Sequence, residues 1–307
     1  MSQTLHVVAA FIAAAAGLEV SATPKMGNVH RFRDFQDTRF EDFIVSAHLM
    51  QPVLLDLAVR GYYGDTPMIG HGIYEVVRLS KIFSKGNTSL GTATLLAPLS
   101  YGAGRALASG NQLNSEVVTS YARDALMETD IKDSIMFYQA VRLANPSYLG
   151  RIKEEGLLPD IWDESFVEKL ISRRVRLWHI LWISSGWDLV SREAVKGYPE
   201  TKAALGYLNN ILDELSWNDA IVETHLWLLS RNMDSLILRK HGRNAALKAS
   251  EIARKALNKG GLRSHRGRAY IKRMDKYFAS RGWNPGAVAD LTAATIALYN
   301  LEKYLAF

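Results

Sequence analysis

The chain has 307 residues, and its content of 48% hydrophobic and 22% charged residues is typical of a globular protein with a real core. It contains no cysteine, which excludes disulfide bonds and thiolate metal sites. Lysine and arginine outnumber aspartate and glutamate by 37 to 31, so the net charge of +6 mildly favours anionic partners such as nucleotides or nucleic acid.

The first apolar segment, residues 5–22, is rich in alanine and therefore predicts a helix. A signal peptide would carry lysine or arginine before its apolar part, and this segment has neither there; Glu19 also follows the apolar run closely. The apolar stretch is shorter than the ~20 residues that a membrane span needs. We interpret the segment as a buried first helix, and we expect a cytoplasmic protein with no membrane partner.

Residues 25–43 are densely charged, and Gly27 among them allows backbone angles that other residues avoid. Asp34 and Asp37 precede a helix that we expect to begin near Arg39. Two carboxylates in that position can hold Mg²⁺, which binds triphosphates through one or two carboxylates plus water. A salt-bridged surface loop is the alternative interpretation. The basic residues that can take the phosphates themselves are Lys25, His30, Arg31 and Arg33.

Residues 68–83 repeat apolar side chains at three- and four-residue steps and predict a helix. His71 and Glu75 share one face of it, as a buried polar pair or as an acid/base pair. The following motif, GNTSLGT at 86–92, precedes another apolar run. Its backbone N–H groups and hydroxyls can cradle a phosphate at a helix N-terminus, or they can form an ordinary helix cap between buried helices.

Helical periodicity continues to the end of the chain, in 165–190, 201–214, 217–239, 244–258, 267–280 and 285–305. Alternating strand patterns are scarce, so we predict an all-α protein of ten to twelve helices. The segment 145–164, with two prolines and two glycines, is the candidate internal boundary. We favour a loop that crosses one large domain spanning residues 1–307, because neither half shows an independent fold signal.

Two polar motifs lie within these later helices. Asp234 is followed by Arg239-Lys240-His241, which can clamp a triphosphate or simply complement a helix dipole. Asp290 lies within the first two turns of the last helix, where a carboxylate can stabilise the helix or bind a metal or a ribose. The basic tract 263–273 suggests nucleic acid, but few aromatic residues accompany it, and we favour a solvated surface.

Together these segments resemble the triphosphoribosyl-dephospho-CoA synthase family over roughly residues 10–300. The family's early K-P-G motif is similar to Lys25-Met26-Gly27, its N-T-x-x-G segment to residues 87–91, and its A-x-x-L-A-x-P segment to residues 140–146. Its D-x-x-x-x-E segment matches residues 188–193, and its closing motif matches NPGAVADL at 284–291. Methionine stands where the family usually has proline in the first motif. The form NTSLGTATLLAPL looks like the archaeal branch.

The resemblance implies an enzyme that transfers the triphosphoribosyl group of ATP to 3′-dephospho-CoA and releases adenine. A hydroxyl of the acceptor ribose would attack C1′ of the ATP ribose through an oxocarbenium-like transition state, as in glycoside chemistry. The same nucleotide chemistry with another acceptor remains an alternative, as does a non-catalytic nucleic-acid-binding protein, although we do not expect nucleic acid as the partner.

The resemblance also directs the residue predictions. We expect Asp34 and Asp37 to hold Mg²⁺, and Asp34, Glu75 or Asp234 to serve as catalytic acid, base or ribose contact. The predicted substrate-binding residues are Lys25, Gly27, Asn28, His30, Arg31, Asn87, Thr88, Ser89, Gly91, Arg239, Lys240, His241 and Asp290.

Overall fold

A computed structural model describes residues 2–145 and 156–305. Within these residues the chain forms fourteen α-helices and one 3₁₀ turn, Gly261–Arg263, and no β-strand. The helices are α1 Ser2–Ser21, α2 Phe40–Tyr63, α3 Ile69–Phe83, α4 Leu90–Ala108, α5 Ser115–Glu128, α6 Ile131–Ala144, α7 Phe166–Ser172, α8 Leu177–Ser184, α9 Leu189–Val195, α10 Pro199–Ile211, α11 Trp217–Arg231, α12 Ser235–Asn258, α13 His265–Arg281 and α14 Gly286–Tyr304.

The all-α prediction is confirmed, but the predicted number of helices is too low. Two segments that read as continuous helices are each divided in the structure. In 165–190, Arg174 adopts a left-handed backbone with φ of 50° and separates α7 from α8. In 217–239, the chain leaves α11 at Arg231, and Asp234 caps the new helix α12. Apolar periodicity runs through both breaks and therefore hides them.

The candidate boundary at 145–164 lies partly outside the described residues, because 146–155 are not among them. The described part packs back onto α6, where the hydroxyl of Tyr138 donates to the carbonyl of Pro159 at 2.9 Å. The guanidinium of Arg142 similarly donates to the carbonyl of Ile161 at 2.7 Å. Helices from both sides of the segment also pack together, as α1 and α4 do against α14. This arrangement is consistent with one domain.

The core is built around α4 and α14, which are buried on nearly all sides. Their sequences are rich in alanine, threonine and leucine around the whole helix, as expected for a helix enclosed by others. Polar groups within this core find nearby carbonyls: the hydroxyl of Ser100 donates to the carbonyl of Leu54 in α2 at 2.6 Å. Helices α1, α2 and α5 surround this centre.

Helix α1 is part of the core, which confirms the prediction of a buried first helix. Leu5, Val8 and Ile12 are buried between α2 and α14, and the ring of Phe11 stacks on Tyr304 at 5.3 Å. By length and composition alone, the segments Gln3–Ser21 and Phe40–Tyr63 are long and apolar enough to cross a membrane. In the structure both pack against other helices of the bundle.

Candidate active site

A single cavity of about 1520 Å³ collects the polar motifs of the sequence. Asp37, Thr88, Arg239 and Asp290, which are distant in the chain, all line it. Helices α4, α12 and α14 begin at its wall, so three positive helix ends face the same space. The volume exceeds the roughly 300–1,000 Å³ of a typical small-molecule pocket, which leaves room for two large substrates.

The starts of α4 and α14 meet at Asp290. The hydroxyl of Thr92 donates to Oδ1 of Asp290 at 2.6 Å. A Cβ atom on Gly91 would lie 2.0 Å from Oδ2 of the same carboxyl, so only glycine permits this approach. Burial raises the pKa of Asp290 well above its ordinary value, and the negative charges of Glu19, Asp234 and Asp188 add to the effect. The shift favours the protonated form of this carboxyl, while the hydrogen bond from Thr92 opposes it.

A buried ion pair lies beside Asp290. Lys25 Nζ contacts the carboxylate of Glu19 and also donates to the Glu19 carbonyl at 3.1 Å. Burial lowers the pKa of Lys25 and raises that of Glu19, and the attraction between the two opposes both shifts. Lys25 interacts electrostatically with Asp290 as well. An ammonium has three N–H donors, and Glu19 occupies two of them.

The loop that carries Lys25 is fastened to α13 through Asp275. The guanidinium of Arg33 binds the Asp275 carboxylate with both of its terminal nitrogens, one of them at 2.6 Å. The backbone N–H of Gly27 donates to the same carboxylate at 3.0 Å. Gly27 has φ of 73°, and a Cβ atom there would lie 2.1 Å from the carbonyl oxygen of Trp283. This contact sets the 25–33 loop directly against the segment before α14.

A second acidic region lies where α2, α3 and α4 meet. Asp34 Oδ1 accepts from the N–H of Phe40 at 2.9 Å, so it caps α2, and Asp37 is exposed at the cavity rim. Lys81 donates to the carbonyl of Lys85 at 2.6 Å and lines the cavity close enough to Asp37 to interact with it electrostatically.

The GNTSLGT motif forms the adjoining wall, at the start of α4. Asn87 Oδ1 accepts from the N–H of Leu90 at 3.2 Å, and the hydroxyl of Thr88 lies 2.8 Å from that of Ser46. Ser89 is the cap residue of the helix, and it also lines the cavity. The first-turn N–H groups of a helix have no acceptors within the helix itself and can bind an anion.

Another part of the cavity wall is built around Asp188, which joins α9 to α12. Its Oδ2 accepts from the N–H and hydroxyl of Ser191 at 2.9 and 2.7 Å, and thereby caps α9. Its Oδ1 accepts from the hydroxyl of Ser235 at 3.0 Å and forms an ion pair with Arg239. Arg239 and Lys240 both line the cavity from the first turns of α12.

Asp234 does not line the cavity, and its carboxylate accepts hydrogen bonds from two helix starts. Its side chain is fully buried; Oδ1 accepts from the N–H groups of Leu236 and Ile237, and Oδ2 accepts from that of Val288, all at 2.9 Å. Burial raises the pKa of Asp234 to about 6, while the three N–H donors oppose that shift. Because both oxygens are engaged, the carboxylate holds the starts of α12 and α14 together, and we assign it no role in proton transfer.

Four other predicted site residues lie outside the cavity wall. Glu75 pairs with Arg78 on α3, with a shortest distance of 2.7 Å. Arg31 is exposed and donates to the carbonyl of Ser21 at 2.5 Å. His241 is exposed and contacts the carbonyl of Gly282 at 3.0 Å. The fourth is His30.

The ring of His30 is buried within its own loop. Its Nδ1 accepts from the N–H of Phe32 at 3.2 Å. Burial lowers the pKa of His30 to about 4, and the positive charges of Arg33, Lys25 and Arg31 contribute while Asp275 opposes. The ring is therefore neutral at pH 7 and is not placed to bind a phosphate.

One wall of the cavity is apolar. It is formed by α6, the residues after the undescribed segment, α8 and Trp187. The hydroxyl of Tyr138 ties α6 to residue 159 of this wall. Its side chains are Phe137, Tyr138, Val141, Leu157, Leu158, Pro159, Ile161, Ile180, Ile183, Trp187 and Val190. Such a surface suits the uncharged parts of a nucleotide or an extended organic chain.

The family model for CitG, ATP:dephospho-CoA triphosphoribosyl transferase, matches residues 6–307. The chain belongs to this family. Among solved structures it is similar to a protein from Archaeoglobus fulgidus whose description proposes a triphosphoribosyl-dephospho-CoA synthase, with 27% identity, a TM-score of 0.65, and coverage of 85% of this chain and 98% of that one. A comparison with curated proteins gives no significant match. The predicted family and its transferase activity are thus confirmed.

For a triphosphoribosyl transferase, the charge of the cavity is informative. The described lining residues include six acids and six basic residues, so they are formally balanced. Several of the basic residues are already paired with acids, as Lys25 is with Glu19 and Arg239 with Asp188. No group of three or more potential metal ligands occurs among the described residues.

Several residues that line or support this transferase cavity were not among the predicted site residues, although Asp188 belongs to a matched motif. Glu19 lies in an alanine-rich helix whose pattern indicates only core packing. Asp188 and Asp275 act through partners on other helices, which local spacing does not reveal. Lys81 belongs to a helix that was read for its apolar face. Asn284 lines the cavity just before α14, where the NPG motif signalled a helix start but no ligand contact.

Proposed function

We propose that the cavity binds ATP with Mg²⁺ beside 3′-dephospho-CoA and transfers the triphosphoribosyl group to the acceptor with release of adenine. The observation that carries this proposal is the convergence of the family's motifs, at Lys25, residues 87–91, Asp188 and Asp290, on one cavity large enough for both substrates. Family membership supports the reaction class, and the geometry supports the division of roles among residues.

The phosphates are best matched by the start of α4 and by α12. Asn87, Thr88 and Ser89 offer backbone and side-chain donors at a positive helix end. Arg239 and Lys240 line the same cavity from α12. Lys25 adds a buried positive charge between Glu19 and Asp290. Preorganised donors of this kind stabilise a transition state without rearrangement, and that stabilisation is commonly the largest single contribution to catalysis.

The residues present fit a Mg²⁺ ion that is bound jointly by protein and substrate. Mg²⁺ retains several waters and commonly takes only one or two carboxylates together with phosphate oxygens, so a cluster of three protein ligands is not required. Asp34 and Asp37, at the cavity rim, would hold it. When bound, the ion would neutralise the triphosphate charge that the balanced cavity lining leaves over.

The chemistry requires a bond from an acceptor hydroxyl oxygen to C1′ of the ATP ribose and cleavage of the bond from C1′ to N9 of adenine. Adenine gains one proton and the hydroxyl loses one. Asp290 is the proposed general acid, since its pKa is raised, its Oδ1 is held by Thr92 and its Oδ2 lies beside Gly91. Charge on the ribose would be stabilised by the nearby carboxylates of Glu19 and Asp188.

The apolar wall is the proposed site of the acceptor. Dephospho-CoA carries an adenine and a long pantetheine arm, which need apolar contact area as well as donors. Trp187 and the neighbouring side chains of α6 and α8 provide that area. An acceptor from another cofactor pathway remains the alternative within the same reaction class, because this wall would take any nucleotide with an extended tail.

The nucleic-acid alternative depended on the basic tract 263–273. In the structure Arg263 pairs with Glu223, which is fully buried, and Arg268 pairs with Asp219 at 2.7 Å. These pairings reduce the charge that the tract could offer to a phosphate backbone.

The packing of both apolar helices in the bundle and the absence of cysteine support a cytoplasmic location.

The proposal is tested by incubating the protein with ATP, Mg²⁺ and either 3′-dephospho-CoA or a panel of other nucleotide acceptors, with free adenine measured by mass spectrometry. Adenine should appear in equal amount to the triphosphoribosylated acceptor. Asp37→Asn should abolish the Mg²⁺-dependent release, whereas Asp65→Asn, an exposed aspartate away from the cavity, should not. Undiminished turnover in Asp37→Asn would remove Asp37 from the role.

A further inference from the structure

Two asparagine side chains in the cavity wall have buried carbonyl oxygens without a hydrogen-bond partner. They are Oδ1 of Asn28 and Oδ1 of Asn284, and no described residue donates to either. Asn28 as a whole residue is only 5% exposed. Buried polar groups in proteins are nearly always paired, and an unpaired one is costly to keep. Two such atoms in the wall of one cavity are therefore candidate acceptors for a bound ligand.

The two asparagines are carried by neighbouring segments. The residues that precede them, Gly27 and Trp283, are in direct contact, because a Cβ atom on Gly27 would lie 2.1 Å from the Trp283 carbonyl oxygen. Asp275 holds the first segment in place by accepting from the N–H of Gly27 at 3.0 Å. The two amide oxygens are thus presented from adjoining parts of the same wall.

Asn284 is not used by the local backbone in the way that its position suggests. An asparagine just before a helix commonly accepts from an N–H of the first turn. At the start of α14 the N–H of Val288 is instead taken by Asp234, at 2.9 Å, from another helix. The amide of Asn284 is thereby left for a ligand.

We propose that Asn28 and Asn284 recognise the adenine base of ATP, their two carbonyl oxygens accepting the two hydrogens of its N6 amino group. This inference rests on the proposed function, because it names the subsite in which the departing base is held. The amide of asparagine matches the edge of adenine, with an acceptor for N6–H and a donor for the adjacent ring nitrogen. A purine with a 6-oxo group would instead place an oxygen, which is an acceptor, against the two asparagine carbonyl oxygens.

This subsite also lies close to the proposed proton donor. Asn284 and Asp290 are six residues apart at the start of α14, and both line the cavity. A base that is held by its amino group would therefore be fixed relative to the carboxyl that protonates it. The asparagines act in this account as specificity-determining residues, and Asp290 acts on the leaving group.

The test compares ATP with inosine triphosphate, which carries a 6-oxo group, and with 2′-deoxy-ATP. Release of free base is measured for the wild type, Asn28→Ala and Asn284→Ala, and the binding of each nucleotide is measured by calorimetry. The wild type should prefer ATP over inosine triphosphate by on the order of 100-fold or more in kcat/KM, since a site built for an N–H donor rejects an analogue that lacks it. Each variant should reduce that ratio by about tenfold or more, mainly through loss of activity with ATP.

Gln36→Ala is the matched control, because it removes an exposed amide from the same cavity and should leave the ratio unchanged. Equal use of ATP and inosine triphosphate by the wild type would overturn the inference, as would a ratio that survives both asparagine variants. Variants that instead lose discrimination against 2′-deoxy-ATP would assign the oxygens to ribose and refute the adenine assignment.

The calorimetry separates this inference from the proposed function. If the wild type releases no base with any acceptor but binds ATP over inosine triphosphate in an asparagine-dependent way, the transfer reaction is refuted and the adenine subsite stands. If neither nucleotide binds, the adenine subsite and the transfer reaction are both refuted. Thermal melting of each variant shows whether it is folded. The two asparagines lie on different segments, so if one variant fails to fold, the other still tests the inference.

Discussion

The hydroxyl of Thr92 lies 2.6 Å from Oδ1 of Asp290 and donates a hydrogen bond to it. This bond joins two of the family's motifs, at the start of α4 and near the start of α14, although 198 positions separate them in the chain. The positive ends of both helices are thereby brought to one point. A carboxyl with a raised pKa lies at that point, and the approach is possible because residue 91 has no side chain.

We predict that Gly91→Ala strongly reduces turnover with a limited effect on stability. The new methyl group would lie 2.0 Å from Oδ2 of Asp290, so the carboxyl must move away from its position. A displacement of about 1 Å at a reacting group can cost 100-fold, and we expect at least that loss in kcat/KM for adenine release. Urea unfolding should show a loss of roughly 1–3 kcal/mol from overpacking.

Gly206→Ala provides the control for Gly91→Ala, since a Cβ atom there meets nothing within 4 Å. Residue 206 lies in the middle of α10, where alanine is favoured over glycine by up to about 1 kcal/mol. The activity of the Gly206→Ala variant should equal that of the wild type. Full activity in Gly91→Ala would show that Asp290 does not need its observed position.

Local signals in the sequence account for much of this site. The helix starts in the GNTSLGT motif and after Asn284-Pro285 were recognisable from caps, proline and glycines, and these starts are where the cavity forms; the cap of α4 is Ser89, one residue beyond the expected Asn87 or Thr88. The partners of side chains across helices were not recognisable. Glu75 illustrates the limit: its spacing from His71 marked a shared helix face, but which face borders the cavity depends on tertiary packing, and in the structure Glu75 pairs with Arg78 instead.

Replacing Asp234 with asparagine should destabilise the fold and disturb the cavity. The carboxylate accepts three backbone N–H groups from two helices, and an amide would turn an NH₂ group toward at least one of those donors. Hydrogen bonds to a charged group contribute about 1.5–3 kcal/mol each, so we expect a loss of roughly 2–4 kcal/mol in the free energy of unfolding at pH 7.5.

Asp56→Asn is the comparison for Asp234→Asn. Asp56 is 59% exposed and pairs only with Arg60 on the surface of α2, and such pairs contribute about 0–1 kcal/mol. If Asp234→Asn is no less stable than Asp56→Asn, the carboxylate does not tie α12 to α14 in the way the contacts indicate.

A change in the apolar wall should weaken the binding of the acceptor and leave the binding of ATP unaffected. Truncating Trp187 to alanine removes an aromatic side chain from the proposed acceptor site, and burial of that area contributes roughly 1.5–3 kcal/mol. We expect the KM for dephospho-CoA to rise by about 10- to 100-fold, while the KM for ATP changes less than twofold. Steady-state kinetics with each substrate varied in turn gives both values.

Trp182→Ala is matched to Trp187→Ala in residue type and exposure, at 54% against 53%, but it lies outside the cavity. Both KM values should stay at the wild-type level in this variant. A parallel rise in the KM for ATP in Trp187→Ala would mean that the wall contacts the nucleoside triphosphate, and the two substrate positions would then have to be exchanged.

The stability of the protein at acid pH should depend on the buried neutral ring of His30. Its pKa falls from 6.5 to about 4 on folding, chiefly because burial disfavours the charged ring. Between those two values the unfolded chain binds a proton that the folded protein does not, so this group's contribution to the free energy of unfolding decreases as pH falls from about 6.5 to 4. A difference of about 2.5 pKa units corresponds to roughly 3 kcal/mol at the lower end.

His30→Asn tests this assignment because an amide oxygen can still accept from the N–H of Phe32 but cannot titrate. Urea unfolding of both proteins at several pH values from 7 to 4 gives the difference in free energy directly, and other titrating groups cancel in that difference. We expect the advantage of the wild type over the variant to shrink by about 3 kcal/mol across the range. A difference that is constant with pH would mean that His30 ionises as readily in the folded protein as in the unfolded chain, and its ring would again be a candidate partner for phosphate.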